Sequence, residues 1–506
     1  MTIRQLPSPR RLWPAIPLLA AVLRVVNLGG RALWYDEAFS VLFARRSVGE
    51  MIAGTLGPQA AAAEEHPLLY YFTLHGWMRL FGETPAAVRL LSVLAGVATV
   101  AVLYLLGKHL FDRRVAATAA LFAAVAPFPL YYAQETRMYA LLALCTTAAL
   151  AFFARAWQDN KGFDWAAYAL CGAAALYTHN LAALFLLALG GWILWRWLRG
   201  RRVVHWRGVV GAHLGMLALF APWLWVLPRQ LQAIATNYWT QRPGALALVQ
   251  TLYVFHFAAD NEGLPPWLLP FALLFSLLIL VLVVMECRHP RHAPAADPFP
   301  DAISLLTWLA FGPILLAFLI SQVRPIYVLR ALLPSAFVYL LLAARLLPWG
   351  HAPRAIKGVV MSGALLVVIA SLLYHYQYAT FPRPPFPQAV AYLRQEVAPG
   401  DLIIHSNKLT FLPTYYYDPD LPQTFIADPP GSPSDTLDPA TQAALGVRES
   451  GDLPTAAQGH PRIWLVIFRE AAQEGAALHP HLAWLQAHYT LAGTQAFHDL
   501  LIYEFR

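Results

Sequence analysis

Charge is what this sequence has little of. Asp, Glu, Lys and Arg together make up 13% of its 506 residues, against about 25% in soluble domains. So few ionic groups cannot cover a water-exposed surface, which excludes a soluble enzyme and a disordered chain. Cysteine is scarce too. Cys145, Cys171 and Cys287 lie in or beside apolar runs without metal-ligand spacing. That excludes a disulfide framework and argues against redox chemistry. No internal repeat is visible, although transporters are commonly built from one. The basic excess is small, 36 Lys and Arg against 28 Asp and Glu. It lies mostly in connections between apolar runs, where Lys and Arg set membrane orientation, so no nucleic-acid partner is expected.

Hydrophobic length is what the chain has instead, with 58% of its residues apolar. A membrane-crossing helix takes about 20 mostly apolar residues. Eleven stretches are candidates: 12–28, 87–107, 115–131, 140–156, 165–177, 181–197, 209–227, 267–285, 303–320, 331–347 and 359–374. The first has no small-residue cleavage site after it and reads as a retained anchor, with Arg10 and Arg11 inside; a cleaved signal peptide is the alternative. A further apolar segment, 67–81, carries His75 and Arg79. Treating it as an interfacial helix keeps the clusters 108–114, 199–207, 288–291 and 354–357 on the cytoplasmic side, as the positive-inside bias requires. An odd number of spans then puts the N-terminus in the cytoplasm and the C-terminus outside.

After about residue 379 the composition changes. The run Phe381-Pro-Arg-Pro-Pro-Phe-Pro387 reads as a stiff linker. Beyond it, 388–397 and 477–488 read as helices, 401–405 and 463–468 as strands, and two alternating segments at the end as a hairpin. Residues 427–458 read as a loop. The expected organisation is thus a transmembrane domain over 1–378 and an extracytoplasmic soluble α/β domain over 379–506.

Four polar groupings fall on the expected outer side. Trp34-Tyr35-Asp36-Glu37 places an acid pair just past a span, between interfacial aromatics. Glu64-Glu65-His66-Pro67 opens the 67–81 segment. Its acids and histidine could ligate a divalent metal, or could instead serve as acids at a helix N-terminus. The turn Gln134-Glu135-Thr136-Arg137-Met138-Tyr139 crowds ionisable groups between two spans, where such groups face a partner or an aqueous cavity. Arg324-Pro-Ile-Tyr327-Val-Leu-Arg330 puts two arginines on the side opposite the orienting clusters. A phosphate-bearing partner accounts for them, because guanidinium binds phosphate bidentately; snorkelling to headgroups is the alternative. His179 and His256 face the same side.

In this order, Trp34-Tyr35-Asp36-Glu37-Ala38, Glu65-His66-Pro67-Leu-Leu-Tyr70-Tyr71, Tyr132-Ala-Gln-Glu135-Thr-Arg137-Met-Tyr139 and Pro325-Ile-Tyr327 to Arg330 resemble GT-C type polytopic membrane glycosyltransferases. The likeness is to the bacterial protein-mannosyltransferase-like and aminoarabinose-transferase-like group, glycosyltransferase family 39, and covers roughly residues 12–376. It implies a polytopic helical GT-C fold and transfer of a sugar from a polyprenyl-phosphate donor to a lipid, glycan or protein hydroxyl outside the cytoplasmic membrane. Asp36 is then the general base, with Glu37 beside it. Glu65 becomes a candidate metal ligand, with His256 matched by loop position only. Tyr35, His66, Tyr70, Glu135, Arg137, Tyr139, His179, Arg324, Tyr327 and Arg330 become substrate contacts. The family often has two prolines after the acid, sometimes preceded by Lys; here His66 and a single Pro67 stand there. A single carboxylate base implies inversion, by analogy with inverting glycoside hydrolysis. A transporter or flippase of lipid-linked saccharides is the competing reading.

Overall fold

The computed structural model describes residues 14–56, 66–201, 205–228, 240–258, 264–288, 299, 301–347, 353–377, 384–428, 437–473 and 479–506. Its internal packing divides the chain into two units. One comprises Met1–Leu28, Arg89–Trp225 and Thr240–Gln377; the other comprises Gly29–Val88, Val226–Trp239 and Tyr378–Arg506. The segment 29–88, which the linear division gives to the membrane part, thus packs with the C-terminal residues.

The first unit is a bundle of apolar helices. Without water, a backbone can satisfy its polar groups only internally, and a continuous apolar run does so as a helix. Each of the eleven stretches read from the sequence falls on a helix. Among the described residues, six helices are long and apolar enough to cross a membrane: Pro85–Leu110, Tyr139–Asp159, Trp206–Leu224, Ala302–Ser321, Leu329–Leu346 and Arg354–Gln377. The pair Arg113–Val125 and Pro127–Ala133, bent by 61°, makes a seventh if taken as one span. The remaining four stretches form Ala15–Val25, Gly162–Thr178, Ala182–Leu198 and Leu269–Arg288. Within the connection 228–266, the apolar residues Leu246–Phe257 form a further helix.

The bend has a local cause. Pro127 offers no amide to continue the ladder, and Ala126 before it is extended. The carbonyls freed at the end of Arg113–Val125 are met by Arg24, which is fully buried and reaches Ala123 O and Ala124 O at 3.0 Å each. Gln134 in turn donates to Arg24 O at 2.9 Å, and its side-chain oxygen accepts from His375 Nε2 at 2.9 Å. Gly96 permits this approach: a Cβ there would lie 2.7 Å from Ala133 Cβ.

The second unit contains a five-stranded sheet in the order β2-β1-β3-β5-β4, with β1 Leu402–His405, β2 Gln423–Phe425, β3 Ile463–Phe468, β4 Leu491–Phe497 and β5 Leu500–Phe505. β1 runs parallel to β2 and β3; β5 pairs antiparallel with β3 and β4. β3 is buried along its whole length, and its alternate residues enter two cores. Leu465 and Ile467 pack with Leu482 and Leu485 of the helix Pro480–His488. Trp464 and Val466 pack with Phe386, Ala389 and Leu393 of the helix Phe386–Glu396. The α/β character expected of this region is therefore present. The stretch read as loop holds two short helices, Pro439–Leu445 and Leu453–Ala457. Each has a proline within its first two residues, Pro439 or Pro454, behind an aspartate cap, Asp438 or Asp452.

In the same unit lie the helices Tyr35–Ala44, Val48–Leu56 and Leu69–Phe81. The last, at 13 residues, is about 20 Å long and too short to cross the roughly 30 Å hydrocarbon core.

Candidate active site

In the second unit, Trp34 is extended and Tyr35–Ala44 begins immediately after it, so Asp36 and Glu37 occupy the first helical turn. Carboxylates there are favoured by the positive end of the helix dipole and by amides without intrahelical acceptors. Glu37 is fully buried, whereas Asp36 and Tyr35 keep partial access. The Asp36 carbonyl accepts from Ser40 Oγ at 2.8 Å.

The helix Leu69–Phe81 fixes this helix at two places. Phe39 and Phe43 stack at 5.6 Å, and Tyr71 of Leu69–Phe81 meets Phe43 edge-on at 4.9 Å. At the other end His75 Nδ1 lies 2.8 Å from Ala44 O, meeting a terminal carbonyl of the helix. Tyr70 is buried beside Tyr71, and His66 is half-buried just ahead of the helix that holds both. Glu65 lies outside the described residues.

The first unit carries the cationic groups. Gln134, Glu135, Thr136, Arg137 and Tyr139 are all buried in the turn between Pro127–Ala133 and Tyr139–Asp159. Tyr139 is the hub: its ring lies 5.8 Å from His179, and the Arg330 guanidinium sits 5.4 Å from its centre. His179 Nδ1 accepts from the Leu181 amide at 3.1 Å, which leaves the proton of the neutral ring on Nε2. Arg330 projects from the 3-10 turn Leu329–Leu332. Tyr139, His179 and Arg330, distant in sequence, are therefore brought together. Arg324 is exposed, and Tyr327 bonds through its hydroxyl to Thr251.

His256 is placed differently from the sequence reading. It lies buried in Leu246–Phe257, with Nδ1 3.0 Å from Ser276 Oγ and Nε2 2.6 Å from Tyr339 OH. Both ring nitrogens are engaged, so neither is open to a metal in this arrangement, and Glu65, the other expected ligand, lies outside the described residues. Among the described residues no group of three or more His, Cys, Asp or Glu side chains is arranged to hold a metal ion. An open apolar cavity of about 450 Å³ lies in the same unit, lined by Leu248, Leu252, Trp308, Phe311, Ile314 and Leu315 among others.

Sequence reasoning missed two groups that support these residues. His375 and Gln134 form a polar link inside the apolar bundle; a histidine one residue past the apolar stretch 359–374 was the available signal. Tyr417 receives the Leu33 amide at 2.9 Å, just before the acid pair. No local pattern announced that contact.

Comparison with known proteins places the fold. Residues 65–226 match the family described as dolichyl-phosphate-mannose-protein mannosyltransferase. No curated protein matches the chain. Among solved structures, ArnT from Cupriavidus metallidurans in the apo state superposes with a TM-score of 0.64 at 14% identity, covering 98% of both chains. The same protein bound to undecaprenyl phosphate gives 0.60 at 15% identity, covering 97% of this chain and 98% of that one. The apo oligosaccharyltransferase of Archaeoglobus fulgidus gives 0.50 at 11% identity, covering 92% of this chain and 70% of that one. The chain is a multi-pass membrane protein with the GT-C glycosyltransferase fold, as its motifs implied.

Proposed function

We propose that this chain is a glycosyltransferase that moves a sugar from a polyprenyl-phosphate-linked donor to an acceptor hydroxyl at the outer face of the cytoplasmic membrane, with inversion. The observation that carries the reading is a carboxylate pair in the first turn of a buried helix, within a chain that matches ArnT over 98% of its length. ArnT has been solved with undecaprenyl phosphate, which supports a lipid phosphate as the donor's carrier here.

Asp36, the more accessible acid, takes the proton of the acceptor hydroxyl as that oxygen bonds to the anomeric carbon. The bond from that carbon to the phosphate oxygen breaks, and its electron pair leaves with the polyprenyl phosphate as a monoester. Arg137 and Arg330 offset the charge that grows on the leaving group, the larger part of the barrier lowering in such a reaction. Tyr139 holds Arg330 by its ring face. The apolar cavity between Leu246–Phe257 and Ala302–Ser321 suits isoprene units. Lipid, glycan and protein hydroxyls all fit this chemistry as acceptors.

The test is to identify by mass spectrometry the lipid that co-purifies, then to assay transfer from its sugar-phosphate and read the product's anomeric configuration by NMR. Transfer with inversion is expected. Retention of configuration, or binding of the lipid without transfer, overturns the reading.

A further inference from the structure

We propose that Tyr417 and Tyr416, at the end of the C-terminal region's helix Lys408–Tyr417, are positioning residues for the acid pair. The inference rests on the assignment of Asp36 as base. Within the second unit the helix Tyr35–Ala44 is held at both ends by these adjacent tyrosines. At its start, the Leu33 amide donates to Tyr417 Oη at 2.9 Å. Leu33 is fully buried and lies one residue before Trp34, which caps the helix. The bond thus fixes where the chain enters the turn that carries Asp36 and Glu37.

At the far end Arg45 closes the helix and pairs with Glu83, Nε to Oε2, at 2.6 Å. Tyr416 Oη donates to the Glu83 carbonyl at 2.6 Å, and its ring lies 5.2 Å from the Arg45 guanidinium. The two tyrosine rings meet edge-on at 4.7 Å, so the two clamps are mechanically one.

A second attachment keeps the same region in register. Arg46 donates to the Leu445 carbonyl, and Thr441 Oγ1 donates to the Gly54 carbonyl at 3.3 Å. Gly54 allows that approach, because a Cβ there would lie 2.6 Å from Ala444 Cβ. The acid helix is therefore seated on residues more than 300 positions away in the chain. A displacement of about 1 Å at a reacting group can cost about a hundredfold in rate. The C-terminal region accordingly sets turnover by holding the base.

The experiment compares wild type, Tyr417→Phe and Tyr489→Phe in the intact, nanodisc-reconstituted protein. Tyr489 also donates its hydroxyl to a backbone carbonyl, that of Ala457, in the same region and serves as the control. Hydrogen exchange is read over residues 35–44, with β1 and β3 amides as the measure of folding. Turnover is read with undecaprenyl-phosphate-linked mannose, glucose, galactose and arabinose. Tyr417→Phe is expected to speed exchange at 35–39 about tenfold. It should also lower kcat about a hundredfold with donor KM within twofold, while β1 and β3 stay protected and the control stays unchanged. Unchanged exchange at 35–39, unchanged kcat, or an equal effect in the control overturns the proposal. If wild type turns over none of the four donors, the functional reading fails for them, while the exchange arm still decides whether Tyr417 holds the helix.

Discussion

At the residue scale, the informative side chains are polar groups with defined partners. His405 of β1 is fully buried, with Nδ1 3.1 Å from Thr410 Oγ1 and Nε2 3.2 Å from Gln423 Oε1. Gln423 Nε2 donates to the Asp418 carbonyl, which orients the amide so that its oxygen accepts from the ring. Burial pushes the imidazole down to about 3 from its ordinary 6.5, against a smaller opposing effect of the Gln423 bond. Between these values the unfolded chain binds the extra proton, so stability rises with pH. Protection of the β1 and β3 amides, corrected for intrinsic exchange, should be flat above pH 6.5 and fall below it by about 1.4 kcal/mol per pH unit. Protection that does not change between pH 7 and pH 5 contradicts a neutral, buried ring.

At the element scale, periodicity and length made the helices legible, because each apolar run is long and bounded by basic or proline-rich connections. The strand Ile463–Phe468 was equally legible: six consecutive apolar residues buried on both faces leave few alternatives. The helices Tyr35–Ala44 and Leu246–Phe257 were not read as such. The first is short and charged at its start; the second is apolar but below the length of a span. The bent pair Arg113–Val125 and Pro127–Ala133 carries the clearest energetic consequence. Arg24→Met removes the donors to Ala123 O and Ala124 O. A buried carbonyl left unmet costs about 1–3 kcal/mol. The variant should therefore melt well below wild type in detergent, with Arg24→Lys recovering part of the loss. An unchanged Tm contradicts the role given to Arg24.

At the scale of the whole molecule, the GT-C fold was legible from the order of four short motifs, and ArnT superposes over 98% of the chain. The grouping of segment 29–88 with the C-terminal residues was not legible. It rests on contacts such as Leu33 with Tyr417 and Gly54 with Thr441, whose partners lie hundreds of residues apart and carry no shared pattern. Of the candidate site, the acid pair and the Glu135-Arg137 turn stood out because charge is rare in this chain, so each charged cluster needs a reason. His256 stood out for the same cause, and its ring bonds Ser276 and Tyr339 inside the bundle. Scarcity of charge points to polar groups without saying whether they act on a substrate or on the fold.

The measurement that separates those two uses most directly is sugar transfer by purified Asp36→Asn, run beside wild type in liposomes that hold the co-purifying lipid-linked sugar. The amide keeps the size of the acid and removes the base. Transfer should fall by about a hundredfold to ten-thousandfold, the range that a positioned general base supplies, with folding and lipid binding retained. Transfer at the wild-type rate, or translocation of the intact lipid-linked sugar in place of transfer, contradicts the assignment.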